Sequence, residues 1–168
     1  MESIWQYGTQ LPGFPPLQKP IKTDVLIIGG GIAGLLCAHK LHQLGIDYIL
    51  CEANSICSGI TKYTTTKLTA QHGLCYHKLL RKFGHEKTAL YLSANQAALR
   101  EYANLCHTIN CDYSVLDNYV YSRTDRRLLE KELSALQKLD FPAELYQNLP
   151  LPFSTAGAVK FPHQAQFH

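Results

Sequence analysis

Residues 24–34 have the sequence DVLIIGGGIAG, and this stretch decides the fold. It begins with a continuous apolar run rich in β-branched residues, which is typical of a strand buried on both faces of a parallel sheet. Three glycines follow, and residues 32–44 then place apolar side chains on one broad helical face before Gly45 ends the helix. The stretch therefore predicts a strand, a tight turn and a helix that packs on the sheet.

A second strand is predicted over residues 46–51, directly after that helix. Strand, helix and strand together occupy about thirty residues, which is the size of a parallel βαβ unit, and the crossover is expected to be right-handed. The predicted fold class is therefore α/β, with further helices covering the sheet.

The glycine turn has the pattern G-x-G-x-x-G, formed by Gly29, Gly31 and Gly34. In this pattern the first glycine permits the tight turn, the second lets a pyrophosphate approach the backbone, and the third lets helix and strand pack closely. The helix start at Ile32 and Ala33 offers backbone N–H groups and the positive end of the helix dipole. These residues predict a phosphate-binding turn.

Glu52 stands at the end of the second predicted strand, close to the separation of about 20 residues expected from the glycine turn. Its carboxylate can accept both ribose hydroxyls of an adenosine, and it would repel the 2′-phosphate of NADP. The residues thus predict a Rossmann-like, dinucleotide-binding βαβ unit for which FAD and NAD both remain open. The competing interpretation is a glycine-rich turn that only packs.

A loop rich in Thr, Ser and Gly follows Glu52 over residues 55–72. Its segment CSGITKYTTTKL, residues 57–68, resembles the flavin loop of the D-amino-acid-oxidase-like (DAO) family of FAD-dependent oxidoreductases. In that family the loop wraps the pyrophosphate and the inner edge of the isoalloxazine. The resemblance implies FAD as cofactor, and hydride transfer to it from an amine or amino-acid-like substrate. The loop positions that it carries over are Ser58, Gly59, Thr61, Thr65, Thr66 and Lys67.

Three segments together resemble one subgroup of this family, whose members are often followed by a C-terminal Rieske iron–sulfur domain. They are Ser3-Ile4-Trp5, the Thr-rich loop and residues 68–73, LTAQHG. The resemblance implies an iron–sulfur electron acceptor as a partner, located beyond this chain. Family members are roughly twice this length or more, as two-domain flavoenzymes generally are. We therefore expect the chain to be an N-terminal part that is inactive alone.

The chain is expected to contain three regions. Residues 1–22 form an extended, Pro-rich leader, residues 23–84 form the FAD-binding unit with its flavin loop, and residues 85–168 form an incomplete cap or substrate region. In the last region we predict a hairpin that turns at Asp117-Asn118. The other elements predicted after the loop are helices over 74–83, 86–105 and 126–139 and strands over 143–147 and 157–161.

Composition and charge argue against several classes of function. The chain has 168 residues and a net charge of +3, which is too weak and scattered for a nucleic-acid or membrane-surface binder. Its longest apolar stretch is too short to span a bilayer. Six cysteines without a Cys-x-x-Cys pair predict a reduced, cytoplasmic protein.

No metal site is predicted from the Cys and His positions. Cys75 with His77, and Cys106-His107 with Cys111, lack the spacing of known zinc or iron–sulfur ligand sets. His72 is the only histidine expected near the cofactor, and a structural role is favoured for it. The alternative functions left open are an NAD-binding domain and a non-catalytic interaction module.

Overall fold

The structure is a computed structural model that describes residues 10–168. Residues 10–22, the described part of the predicted leader, contain neither helix nor strand, as their prolines require. The prediction for Ser3-Ile4-Trp5 lies outside the described residues. The chain divides into two compact units, one ending at Thr65 and the other spanning Thr66–His168.

The first unit contains the predicted βαβ arrangement. Strand β1 spans Val25–Ile28, helix α1 spans Ile32–Gln43 and strand β2 spans Tyr48–Cys51. The two strands are parallel, with Val25 opposite Tyr48. The predicted strand, helix and strand are thus confirmed.

The helix α1 ends where the sequence predicts it. Gly45 has a φ of 67°, in the left-handed region that glycine adopts without steric cost, and its N–H donates to the carbonyl of His42 at 3.1 Å. The chain can therefore reverse directly into β2.

The predicted burial of β1 on both faces is wrong for this chain. In the described residues β1 pairs only with β2, and the side chains of Leu26 and Ile28 are 55% and 84% exposed. Burial on both faces requires layers on each side of a wider parallel sheet, and a two-stranded sheet does not supply them.

The second unit is built on strand β6, Gly157–Gln166, which pairs antiparallel with three other strands. Strands β3 and β5 lie along one edge of β6, and β4 lies along the other. The bounds of the remaining elements are Lys67–Leu68 for β3, Tyr76–His107 for α2, Ser114–Ser122 for β4, Arg126–Gln137 for α3 and Glu144–Tyr146 for β5.

Helix α2 differs from the prediction in two respects. The two predicted helices form one element that is interrupted at Gly84, whose φ of 76° and ψ of 178° are not helical. The predicted stop at Gly84 is therefore a kink. The region boundary expected at residue 84 consequently lies within α2, whereas the compact units divide between Thr65 and Thr66.

The predicted hairpin at Asp117-Asn118 is wrong. Strand β4 runs through both residues, and its register against β6 shifts between Leu116 and Asn118, which marks a β-bulge. Asp117 accepts the N–H of His163 at 3.3 Å and forms an ion pair with Lys160 at 3.0 Å. Asp117 and Asn118 therefore lie at a bulge within one strand and not at a hairpin turn. The strand that pairs with them, β6, is distant in the sequence.

Buried side chains of α2 and α3 pack together with those of β6 to form the core of the second unit, with Tyr76, Leu129, Leu136 and Phe161 at its centre. Glu132 of α3 is fully buried there and accepts the backbone N–H groups of Tyr76 and His77 at 2.8 and 2.9 Å. Its Oε2 also lies 2.6 Å from His77 Nδ1. The first turn of α2 is therefore capped by a carboxylate from another helix.

Across residues 10–168, none of the helices combines the length and the apolar character needed to cross a membrane. All six cysteines are free thiols.

Candidate functional site

The glycine turn connects β1 to α1 and is tied to the end of β2. Gly29 has a φ of 108°, and its N–H donates to the carbonyl of Cys51 at 2.8 Å. A Cβ on Gly34 would lie 2.0 Å from the carbonyl oxygen of Gly29, which is closer than a side-chain carbon can approach. A Cβ on Gly31 would meet only the hydroxyl of Thr61, at 3.3 Å. Gly34 is thus required by packing, whereas the absent side chain of Gly31 leaves its backbone accessible.

The carboxylate of Glu52 is held by two backbone groups at the end of β2. Its Oε2 accepts the N–H of Gly30 at 2.7 Å, and its Oε1 accepts the N–H of Asn54 at 3.0 Å. These two hydrogen bonds hold the pKa of Glu52 below its ordinary value, and the bond from Gly30 has the larger effect. Each oxygen keeps a further lone pair, so the ionised group can still accept hydroxyl donors.

Gly30 links the glycine turn to Glu52 and to the loop, although the G-x-G-x-x-G pattern does not include it. Besides donating to Glu52, it accepts the N–H of Cys57 at 2.8 Å. A Cβ on Gly30 would lie 3.0 Å from Ile56 Cγ2 and 3.1 Å from Glu52 Cβ. The sequence signal for Gly30 is the run of three consecutive glycines, because the G-x-G-x-x-G pattern requires only the first and the third of that run.

The first turn of α1 directs a backbone donor toward the loop. The N–H of Ile32 donates to Thr61 Oγ1 at 3.0 Å, and the preceding Gly31 provides no side-chain cap. A hydroxyl oxygen therefore occupies the position in which an anionic oxygen is favoured at a helix N-terminus. Ala33 follows in the same turn and is exposed.

The loop after β2 contains a short 3₁₀ helix over Ile60–Tyr63. Ser58 donates its N–H to the carbonyl of Ser55 at 3.2 Å, and Gly59 precedes the 3₁₀ helix. Thr65 is exposed at the end of the first unit.

Thr66 and Lys67 belong to the second unit. Thr66 has a φ of 53°, and its carbonyl accepts the N–H of Phe167 at 3.4 Å. Lys67 pairs with Gln166 across β3 and β6, and its side chain is exposed. The first unit thus contains all the predicted site residues apart from these two.

His77, which was considered for metal binding, and His72, which was expected near the cofactor, each have a side-chain partner in the second unit. His77 lies against Glu132, and His72 Nε2 lies 3.2 Å from Asn95 Oδ1 on α2. Residues 10–168 contain no group of three or more Cys, His, Asp or Glu side chains arranged to hold a metal ion.

A cavity of about 950 Å³ lies between α2 and α3 in the second unit, and its lining includes His77, Arg81, Arg127 and Lys131. None of the predicted site residues lines it. The cavity is therefore not the predicted cofactor site, because the glycine turn and Glu52 lie in the first unit.

Comparison with known proteins assigns the family. Residues 24–168 match the DAO family, described as FAD dependent oxidoreductase. The chain belongs to this family. The predicted DAO resemblance and α/β fold are thereby confirmed, and the cofactor is FAD. The accessible backbone at Gly31 fits the pyrophosphate of that cofactor, and the Glu52 carboxylate, whose oxygens keep further lone pairs, fits its ribose. The N–H of Ile32 donates to Thr61 Oγ1, so a phosphate oxygen would take the place of that hydroxyl.

The chain spans only part of the length of the curated relatives that it matches. It is 37% identical to a protein of Bacillus subtilis described as the Rieske 2Fe-2S iron–sulfur protein YhfW, over 99% of this chain and 34% of the relative. It is also 51% identical over 35 residues to an FAD-dependent monooxygenase of Gibberella zeae, covering 21% of this chain and 7% of that protein. The chain thus spans about a third of the first relative.

Solved structures share the fold at low sequence identity. L-proline dehydrogenase from P. horikoshii has a TM-score of 0.68 at 15% identity, with 89% of this chain and 39% of that chain covered. L-amino acid deaminase from Proteus vulgaris has a TM-score of 0.65 at 16% identity, with 94% and 37% covered. Both solved structures therefore share the fold of this chain.

Proposed function

We propose that this chain is the N-terminal, FAD-binding part of a longer oxidoreductase that oxidises an amine or amino-acid-like substrate. The observation that carries the proposal is the joining of the glycine turn to Glu52, through the 2.7 Å bond from Gly30, in a member of an FAD-dependent family. This connection holds a phosphate-binding backbone and a ribose-binding carboxylate in one small unit.

The proposed contacts lie in the glycine turn, in the first turn of α1 and in the loop after β2, and the pyrophosphate takes the place of Thr61 Oγ1 at the N–H of Ile32. The backbone at Gly29, Gly31 and Gly34 and the N–H groups of Ile32 and Ala33 bind the pyrophosphate. Glu52 accepts the ribose hydroxyls. The proposed loop contacts with the rest of the cofactor come from Ser58, Gly59, Thr61, Thr65, Thr66 and Lys67.

The proposed chemistry is removal of a hydride from a carbon bonded to nitrogen. Bound FAD supplies an isoalloxazine ring that accepts this hydride. The two solved neighbours are named for proline and amino acid substrates, which supports an amino-acid-like substrate. The B. subtilis relative is described as a Rieske protein, which supports an iron–sulfur electron acceptor in the longer protein.

The second unit is proposed to begin the cap or substrate region. Because the chain spans about a third of the first relative, we propose that it binds FAD weakly and turns over no substrate alone. Hydride transfer needs donor and acceptor held in alignment, and a misplacement of about 1 Å can cost on the order of 100-fold in rate. The proposal includes a cytoplasmic location, which the six free thiols support.

Flavin binding by the purified chain tests the cofactor site. FAD is titrated into the wild type, Gly31→Ala and, as a matched control, Gly13→Ala, whose added Cβ would meet nothing within 4 Å. We expect quenching of flavin fluorescence with the wild type and the control, and weaker binding by Gly31→Ala. Equal binding by all three proteins would contradict the proposed site.

Anaerobic mixing with amino acids tests the proposed reaction. We expect the visible flavin absorbance to bleach in the longer protein and to stay unchanged in this chain loaded with FAD. Bleaching by the chain alone would overturn its proposed inactivity. A longer protein that binds FAD but is not reduced by any amine would overturn the substrate class while leaving the cofactor site standing.

A further inference from the structure

The cavity of about 950 Å³ between α2 and α3 has a strongly basic lining. Four Arg and Lys residues contribute to it, namely Arg81 of α2, Arg127 and Lys131 of α3, and Lys138 at the end of α3. All four are exposed, and none of them forms an ion pair within residues 10–168. The second unit therefore gathers several unpaired cations around one space.

Acidic side chains do not balance this charge. Among residues 10–168, Glu130 is the one carboxylate that lines the cavity, and its Oε1 already accepts the Nε–H of Arg126 at 2.9 Å. Arg126 itself does not belong to the lining. The carboxylate is thus paired with a cation outside the cavity, and the positive charge within the lining remains.

Helix periodicity explains why the basic side chains face the same space. Arg127 and Lys131 are four residues apart, so they lie on one face of α3. Like charges at this spacing destabilise a helix. On α2, His77 and Arg81 have the same spacing and line the cavity from the other side. The two helices therefore direct cations toward each other, and a bound anion would relieve their repulsion.

Two histidines of the lining join α2 to α3. His77 Nδ1 lies 2.6 Å from Oε2 of the fully buried Glu132, and His85 Nε2 donates to the carbonyl of Lys138 at 2.8 Å. Glu132 and Lys138 are six residues apart, which corresponds to roughly 9 Å along the helix axis. The cavity is therefore bridged by two polar contacts between the helices, about this far apart.

Part of the lining is apolar. Leu80 and Leu128 are half-buried, and Ala135 is buried. Sites for small molecules have volumes of about 300–1,000 Å³ and combine apolar walls with a few polar or charged groups. The cavity therefore has the size and the mixed lining of a site for a small charged ligand.

We propose that this cavity binds a small anion that carries two or more phosphate groups. The fork of N–H donors in arginine matches phosphate oxygens, and the lysine ammonium binds phosphate as a compact charge. Arg127 and Lys138 lie roughly 16 Å apart along α3, which suits several phosphate groups better than one. The proposal does not depend on FAD binding, because none of the predicted cofactor-site residues lines the cavity.

Isothermal titration calorimetry of the purified chain tests the proposal. The probes are inorganic tripolyphosphate, fructose 1,6-bisphosphate and inorganic phosphate, at about 0.15 M salt, where exposed charges are screened beyond about 8 Å. We expect tripolyphosphate or the bisphosphate to bind on the order of tenfold more tightly than phosphate. Tighter binding of the bisphosphate identifies an organic ester as the ligand, and tighter binding of tripolyphosphate identifies an inorganic chain.

Glutamine variants provide the matched comparison. Arg81→Gln and Lys131→Gln each remove one lining charge, and each should weaken binding of the preferred probe on the order of tenfold. Lys87→Gln removes the same charge from an exposed residue of α2 outside the lining and should bind as the wild type does. Gly31→Ala, in the first unit, should also bind the probe unchanged.

Three results would overturn the proposal. In the first, the wild-type chain binds neither multiply phosphorylated probe more tightly than phosphate, and this comparison stands even if a variant fails to fold. In the second, Lys87→Gln weakens binding as much as Arg81→Gln and Lys131→Gln do, because attraction would then follow net charge alone. In the third, Gly31→Ala is the variant that loses the probe, because the glycine turn would then be its site. Failure of the proposed FAD site is distinguishable, since it appears as equal FAD binding by the wild type and Gly31→Ala.

Discussion

The Oε2 atom of Glu52 accepts the backbone N–H of Gly30 at 2.7 Å, so the end of β2 is bonded directly to the glycine turn. The same carboxylate also accepts the N–H of Asn54. A residue proposed to bind the ribose of FAD thus also shapes the turn proposed to bind the pyrophosphate. Replacing it should alter both the stability of the first unit and its affinity for the cofactor.

The pH dependence of stability should report the turn-shaping role of Glu52. Its folded-state pKa is lowered from the ordinary value of 4.5, mainly by the bond from Gly30. A lowered pKa means that the ionised carboxylate stabilises the fold above pH 4.5, and that this contribution is lost as the pH falls through the folded-state pKa. Thermal unfolding from about pH 3 to about pH 7 should show Glu52→Gln approaching the wild type at the acidic end. A constant difference between the two proteins would contradict this account.

The affinity for FAD should report the ligand-binding role of Glu52. Removing a charged acceptor of the ribose hydroxyls should weaken binding on the order of tenfold in Glu52→Ala. Glu130→Ala, which changes an exposed glutamate of the second unit, is the control and should bind as the wild type does. Titration monitored by flavin fluorescence checks both variants. Unchanged affinity in Glu52→Ala would show that the carboxylate has no contact with the cofactor.

The two glycines Gly31 and Gly34 should respond differently to alanine. The methyl group of Gly34→Ala would lie 2.0 Å from Gly29 O, so the turn must shift, and overpacking of this kind costs about 1–3 kcal/mol. Gly31→Ala meets only the Thr61 hydroxyl, so its unfolding midpoint should stay near the wild-type value while FAD binding falls. Denaturant unfolding and FAD titration of both variants separate the two effects. Equal loss of stability would show that Gly31 is also a packing position.

The buried carboxylate of Glu132 should be a major determinant of stability in the second unit. Glu132→Ala leaves the N–H groups of Tyr76 and His77 without their acceptor, and breaking a buried, charged network costs about 3–5 kcal/mol. Glu130 lies on the same helix in an exposed pair with Arg126, so Glu130→Ala should cost no more than about 0.5 kcal/mol. Urea denaturation of the two variants provides the comparison. Similar midpoints would show that Glu132 contributes no more than a surface residue.

The N-terminus of α3 should depend on Asp125. Its Oδ1 accepts the N–H of Leu128 at 2.9 Å, which is the bond of an N-cap residue. Asp125→Ala should therefore cost about 1 kcal/mol, and Asp125→Ser should retain most of the stability because serine also caps helices well. Chemical denaturation checks the order wild type, Ser, Ala. An alanine variant as stable as the serine variant would show that the cap contributes nothing.

The sequence alone determined the βαβ unit, because its signals are local. The apolar run before Gly29, the helical face of residues 32–43 and the stop at Gly45 each specify one element from neighbouring residues. The family was also visible in local motifs, since the glycine turn and the Thr-rich loop are continuous in the sequence. The kink at Gly84 was visible in part, because glycine marks an interruption without showing that the helix continues beyond it.

Only the tertiary structure decided features that depend on partners distant in the sequence. Asp117-Asn118 forms a bulge because β6 lies alongside β4, and a local turn signal carries no information about that pairing. Glu132 caps α2 from another helix, because its carboxylate accepts the N–H groups of Tyr76 and His77. The bond from Gly30 to Glu52 also depends on tertiary structure, because it joins the turn after β1 to the residue that follows β2. Hydrophobic periodicity specifies individual elements, whereas polar contacts between them are set by how the elements pack.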